Sequence, residues 1–241
     1  MPELAVHPDD VDSLLLPLVR DFRCIMLVGL VYHPRDAASD APLINSALWL
    51  IPEWSRDRGL QIRHVEQGKA HLAPDERDAF GSVVSPFRPA QWIVSYRWHS
   101  DRNKPPLLLS ASVCYDATDT ALAADLRDRN DLYAVCALNA VCALNKDVAT
   151  FDNLAESLNY HLYQGVLVVN NGSYGGSSFF APLEKNFRRE ILHFHGQPQA
   201  HIGFAEVIPG KIIERPEGNE DAEPKGEWKK PPAGWRGPHS V

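Results

Sequence analysis

Cys114 closes the apolar run LLLSASVCYD and is followed by Asp116 and a stretch that Asp119 can cap as a helix. A cysteine at a strand-to-helix junction stands at a sheet edge, beside backbone N–H groups that can stabilise an anion, which suits a thiol nucleophile. The same residue also reads as a buried strand cysteine, the commonest fate of a free thiol. Lys69, in GKAHLAPDE, is of the type that favours a nearby thiolate and donates to a developing oxyanion; it also reads as an exposed loop lysine. Glu3 in PEL and Glu76 in the Lys69 loop are carboxylates suited to moving protons, and equally to lining a solvated surface. His193 and His195 in HFH would share one strand face, as two metal ligands do. With no third ligand at a recognisable spacing, the expectation is no metal and no cofactor. The segment NNGSYGGSS (170–178) is neither GxGxxG nor a P-loop. It reads as a tight turn needing positive φ, or as a loop whose backbone approaches a substrate. Cys24, Cys136 and Cys142 lie inside apolar runs and read as core.

These side chains need elements to hold them. Strands are expected at 24–32, 46–51, 60–66, 91–98, 107–115, 131–138, 165–170 and 201–208, several of them β-branched and bounded by Gly, Pro, Asn or Asp. Helices are expected at 10–23, 118–128 and 150–163. The last places Phe151, Leu154, Leu158 and Leu162 on one face, and Pro17 should kink or shorten the first. Strands mixed with helices give an α/β or α+β layered architecture.

The chain has 241 residues, 44% hydrophobic and 23% charged, which excludes wholesale disorder and suffices for one large domain. Its longest apolar stretch, Cys24 to Tyr32, is about half of a membrane span. Glu3, Asp9 and Asp10 stand where the basic region of a secretory signal belongs. The four cysteines lack CxxC or disulfide-framework spacing, as a reducing cytoplasm would leave them. A net charge of −7 argues against direct nucleic-acid binding. The expectation is a soluble cytoplasmic protein with no membrane partner.

Two segments depart from the pattern. Residues 209–241 hold six Pro, five Gly, six acidic and six basic side chains, and are expected to form a mostly disordered tail. Ala134–Asn139 and Ala140–Asn145 both read AVCALN, a tandem copy too short for a solenoid and read as a local duplication.

Taken in order, PEL (2–4), the apolar run ending in Gly29, INSALWLIP (44–52), KAHL with a following Glu (69–76), SVCYD (112–116) and VVNNGSYGGSSFFAP (168–182) resemble the nitrilase superfamily of carbon–nitrogen hydrolases. The resemblance covers residues 1 to about 208, the expected domain, with 209–241 as its tail. It implies a four-layer αββα sandwich, a small-molecule amide-type substrate, a homodimer and a Glu–Lys–Cys triad. By motif match Glu3 would be the general base, Lys69 the oxyanion stabiliser and Cys114 the nucleophile. Glu76 would be a supporting glutamate, and the backbone N–H of Tyr115 a second oxyanion donor. In that family the glutamate follows a strand–helix–strand unit, which here would lie before Met1. The sandwich is therefore expected to be N-terminally incomplete.

A narrower stretch, Asp131 to Ala181, together with KKPPAG in the tail, is similar to the nitrilase-like domain attached to certain bacterial reverse transcriptases associated with phage defence. That likeness implies a covalently linked polymerase in a longer parent. It also gives an alternative function, a non-catalytic regulatory or interaction domain.

Overall fold

The computed structural model describes residues 10–30, 32–34, 43–80, 91–97, 103, 105–137, 150–170, 176–182, 190–193, 228–233 and 235. The backbone divides into two compact units, Met1–Ala90 with Ser112–Asp116, and Gln91–Ala111 with Ala117–Val241.

In the first unit a π-helical turn, Val11–Leu15, runs into α1 (Leu16–Phe22). Pro17 has no N–H to donate back to the preceding turn, so regular α-helical bonding begins around it rather than through it. The expected single helix over 10–23 is thus two windings. α1 ends at Arg23 in the left-handed region (φ 48°) and leads into β1 (Met26–Gly29). Then come β2 (His33–Pro34), β3 (Leu43–Ile44), β4 (Ser46–Ser55) and β5 (Gly59–Gly68).

β4 and β5 form a long antiparallel hairpin in register from Ser46↔Gly68 to Ser55↔Gly59. Gly59 closes its turn with φ 68°, a conformation that costs glycine little. β1 adds to the other side of β4, giving the order β1-β4-β5, while β2 and β3 make a short ladder of their own. Val11 and Val19 pack with Leu30, Leu48 and Leu50 to form the core, flanked by Leu15, Leu16, Met26, Val28 and Ile62. Burying each such side chain contributes roughly 1.5–3 kcal/mol. After β5 the chain enters α2 (Pro74–Phe80), a helix where the sequence suggests a loop.

The second unit is built on a six-stranded sheet in the order β11-β10-β9-β8-β7-β6. Its strands are β6 (Val94–Tyr96), β7 (Leu107–Val113), β8 (Leu132–Ala137), β9 (Gly165–Asn170), β10 (Ser178–Phe180) and β11 (Glu190–His193). β8 and β9 are parallel, and parallel neighbours need a crossover, which α4 (Thr150–Leu162) supplies. α3 (Thr120–Leu126) begins as expected at Asp119, whose carboxylate accepts from the Ala121 N–H at 2.8 Å. Buried Asp131 stitches the sheet: its carboxylate accepts from the Leu108 N–H, its own N–H donates to the Leu108 carbonyl, and its carbonyl accepts from Gly165 N–H. At Gly165 an added Cβ would lie 2.9 Å from Leu132 Cδ1, so the strand starts where only glycine fits without a shift.

One expectation is corrected. Residues 228–233 and 235, assigned to the disordered tail, are packed: Trp228 and Trp235 are buried against Tyr163, with ring centroids 5.2 and 5.0 Å away. The Tyr163 hydroxyl donates to the Lys229 carbonyl, Lys229 N–H to Pro182, and Arg127 to the Ala233 carbonyl. The Pro and Gly content concealed two tryptophans, each able to bury on the order of 200 Å². The rest of the tail, the second AVCALN copy and the strand expected at 201–208 lie outside the described residues; β8 takes up most of the first copy.

Candidate active site

Lys69 directly follows β5. Its N–H donates to the Asn45 carbonyl at 2.7 Å, which carries the β4–β5 pairing one step past Gly68. The residue is 2% exposed, and a lysine buried to that degree needs a counter-charge. Glu76 provides it, with Oε2 at 2.5 Å from Lys69 Nζ.

Glu76 stands on the first turn of α2, where Pro74 opens the helix. Its Oε2 also accepts from the Ala73 N–H at 2.7 Å, the reach-back of a helix-start glutamate to a backbone donor that has no helical partner. Its other oxygen accepts from the Tyr32 hydroxyl at 2.5 Å and from Asn45 Nδ2 at 3.0 Å. A carboxylate offers about four acceptor sites, and these four donors occupy them. Burial pushes the Glu76 carboxyl upward, but the hydrogen bonds from Lys69, Tyr32 and Ala73 and the Lys69 charge outweigh it, holding the group below the usual glutamate value. Glu76 is therefore an ionised support for Lys69, not a base with a free lone pair.

Tyr32 is pushed well above the ordinary phenol value by its burial, then by the Glu76 hydrogen bond and charge; Asn45 opposes this, and the Cys114 charge adds to it. The hydroxyl thus stays protonated and serves as a donor.

Cys114 begins a 3-10 turn, Cys114–Thr118, directly after β7. It is half-buried and adopts φ 50°, a left-handed conformation uncommon for a residue with a Cβ. Two residues on, Asp116 is 3% exposed. Its Oδ2 accepts from the Ala70 N–H at 2.9 Å and its Oδ1 from the His71 N–H at 2.7 Å. Burial raises the Asp116 carboxyl above its ordinary value, against those two backbone hydrogen bonds and the charges of His71 and Lys69. The turn that starts at Cys114 is thereby fastened to the loop that starts at Lys69.

A second polar group braces the same unit. His33 Nε2 lies 2.8 Å from Glu66 Oε1 and 3.0 Å from Ser46 Oγ, and the Ser46 hydroxyl donates to Glu66 at 2.6 Å. Because the serine proton is given to the carboxylate and not to the imidazole, this is not the arrangement of a serine nucleophile. The His33 hydrogen bond, against burial and with help from Ser46, keeps Glu66 below the usual glutamate value.

The structure thus brings Lys69, Glu76 and Cys114 into one unit. Tyr115 follows in the first turn after the cysteine, its side chain 37% exposed. Glu3 lies outside the described residues, as does His195. Among the described residues no three His, Cys, Asp or Glu side chains are grouped as a metal ion would need. Gly176, in the Gly-rich segment, has φ 75°, in keeping with the turn reading. The sequence reading missed Tyr32 and Asn45 altogether. It missed the helix bearing Glu76 as well, although Ala-Pro-Asp-Glu, with proline first and acids in the opening turn, is a helix-start signal.

No protein-family profile matches the chain, and no curated protein matches it in sequence. Solved structures do. A CN-hydrolase superfamily protein of Xanthomonas campestris, crystallised with an arsenic adduct in its active site, superimposes with a TM-score of 0.50 at 14% identity. The match covers 80% of this chain and 71% of that one. The chain has the fold of a carbon–nitrogen hydrolase. Saccharomyces cerevisiae Nit3, of branch 10 of the nitrilase superfamily, gives a TM-score of 0.48 at 16% identity, over 71% of this chain and 57% of its own. The expected α/β class and nitrilase-like fold are met. No helix among the described residues is long and apolar enough to cross a membrane.

Proposed function

We propose that this nitrilase-like chain is a cysteine hydrolase of non-peptide carbon–nitrogen bonds in small amide-type molecules. The observation that carries the reading is the Asp116 bridge, which ties the turn bearing Cys114 to the loop bearing buried Lys69.

In this reading the Cys114 sulfur attacks the substrate carbonyl carbon as Glu3 takes the thiol proton. The S–C bond forms, and negative charge collects on the carbonyl oxygen. Lys69, held by Glu76, and the Tyr115 N–H stabilise that charge. The C–N bond breaks, and Glu3 returns its proton to the departing amine. Water, deprotonated by Glu3, then attacks the thioester, releasing the acid and the thiol. Every proton is handled by carboxylate and thiol.

The test is amine or ammonia release from a panel of short amides, ureido compounds and nitriles by the full chain. Turnover is expected to fall by about 10³-fold or more in Cys114→Ala and about 10²-fold in Lys69→Met. Turnover that survives Cys114→Ala would refute the reading. A wild-type chain with no turnover on any member is what the alternative requires, a non-catalytic domain linked to a reverse transcriptase.

A further inference from the structure

We propose that Tyr32 is a positioning residue for the oxyanion-stabilising lysine: by holding one oxygen of Glu76, it fixes the other oxygen, which holds Lys69 Nζ. The inference rests on the Lys69–Cys114 reading above and extends it to a residue outside the Glu–Lys–Cys set.

The two Glu76 oxygens have separate sets of donors. Oε2 takes Lys69 Nζ and the Ala73 N–H; Oε1 takes the Tyr32 hydroxyl and Asn45 Nδ2. The terminal torsion of a glutamate is broad, so a carboxylate gripped by one oxygen alone can rotate and carry the ammonium with it. Gripped at both, it cannot; without Tyr32, Oε1 would keep only the longer bond from Asn45 at 3.0 Å and be held less firmly.

Tyr32 is itself set between two fixed points. On one side Leu30 N–H donates to the Ser46 carbonyl at 2.9 Å. On the other, His33 pairs with Ile44 in the β2–β3 ladder, and its ring is held by Glu66 and Ser46. Asn45, between the partners of those two anchors, reaches the same oxygen as Tyr32. The phenol ring is thus aimed at Glu76 by main chain and side chain together. An error of about 1 Å in the placement of a catalytic group can cost about 10²-fold in rate, which is the scale on which such support matters.

Two reactions of the same thiol separate positioning from packing. Acylation by p-nitrophenyl acetate forms an S–C bond and expels p-nitrophenolate through a tetrahedral oxyanion, which needs a placed Lys69. Alkylation by iodoacetamide displaces iodide with no oxyanion. Both are measured at Cys114 by peptide mass in the full chain. Tyr32→Phe is expected to slow acylation by about tenfold while leaving alkylation within about twofold. It is also expected to move the acid limb of acylation to higher pH, because Glu76 loses a donor to its charged form. Acylation unchanged in Tyr32→Phe, in a protein where Lys69→Met slows it about 10²-fold, would overturn the inference and leave the hydrolase reading intact. So would a parallel loss of both reactions, which would make Tyr32 a packing residue. Wild-type protein that acylates no faster than glutathione would overturn the hydrolase reading and the Tyr32 role with it.

Discussion

The His71 N–H donates to Asp116 Oδ1 at 2.7 Å, while the neighbouring Ala70 N–H takes the other oxygen of the same carboxylate. Residues 45 positions apart are thereby locked together at the point where the proposed nucleophile and oxyanion donor must face one substrate.

Asp116→Asn keeps the shape of the side chain but only one of its two accepting oxygens. One of the two backbone donors is left without its partner beside a side chain that is 3% exposed. The cost is expected to be about 1–3 kcal/mol of stability, together with slower acylation of Cys114. Urea unfolding read alongside the acylation rate checks both; equal stability and equal rate would mean that the bridge holds nothing.

The pH dependence follows from the direction of each shift. Glu76 is held below its ordinary value of 4.5 in the folded protein, so the unfolded chain binds its proton more readily. Its contribution to stability is complete above about pH 4.5 and is lost as pH falls through the folded-state value. Asp116 is raised from 3.8, so its burial opposes folding once it ionises and is relieved in acid. Wild type is expected to exceed Glu76→Gln in stability at pH 7, with the gap closing as pH drops below 4.5. Urea unfolding of the two proteins between pH 7 and pH 3.5 gives the answer, and a gap that widens in acid would contradict the assignment.

Cys114 has φ 50°, a left-handed conformation that costs a residue with a Cβ roughly 1–2 kcal/mol. Glycine escapes that cost. Cys114→Gly is therefore expected to be more stable than Cys114→Ala by about 1 kcal/mol, although neither can form a thioester. Thermal unfolding of the two variants makes the comparison; alanine matching glycine would show that the backbone there carries no strain.

Trp235 is 1% exposed and stacks edge-on against Tyr163. Trp235→Ala is expected to cost about 3–5 kcal/mol, a large share of the stability of a typical domain. A chain ended after residue 227 should lose at least as much. Tryptophan fluorescence during urea unfolding measures this, and a truncated chain as stable as the full one would mean that the packed segment is ornamental.

Local rules made most of the strands and the three long helical stretches legible. β4 and β5 were legible as the separate strands 46–51 and 60–66, though not as a hairpin, and α3 through Asp119. Lys69, Glu76 and Cys114 were legible only by resemblance, since nothing in their types separates them from surface lysines, surface glutamates and core thiols. Tyr32 and Asn45 were invisible because their role is a convergence on Glu76 from 44 and 31 residues away, which no periodicity records. The 228–235 segment was misread for a related reason. Its Pro and Gly residues speak for disorder locally, whereas the burial of Trp228 and Trp235 depends on Tyr163, far off in sequence.

In the proposed reaction Cys114 carries a covalent acyl intermediate stabilised by Lys69. The most direct measurement treats the full chain briefly with p-nitrophenyl acetate, quenches in acid and locates the acetyl group by peptide mass. One acetyl is expected on Cys114, discharged by hydroxylamine and reduced about 10²-fold in Lys69→Met. Acetyl spread evenly over Cys24, Cys114, Cys136 and Cys142, or unaffected by the loss of Lys69, would contradict it.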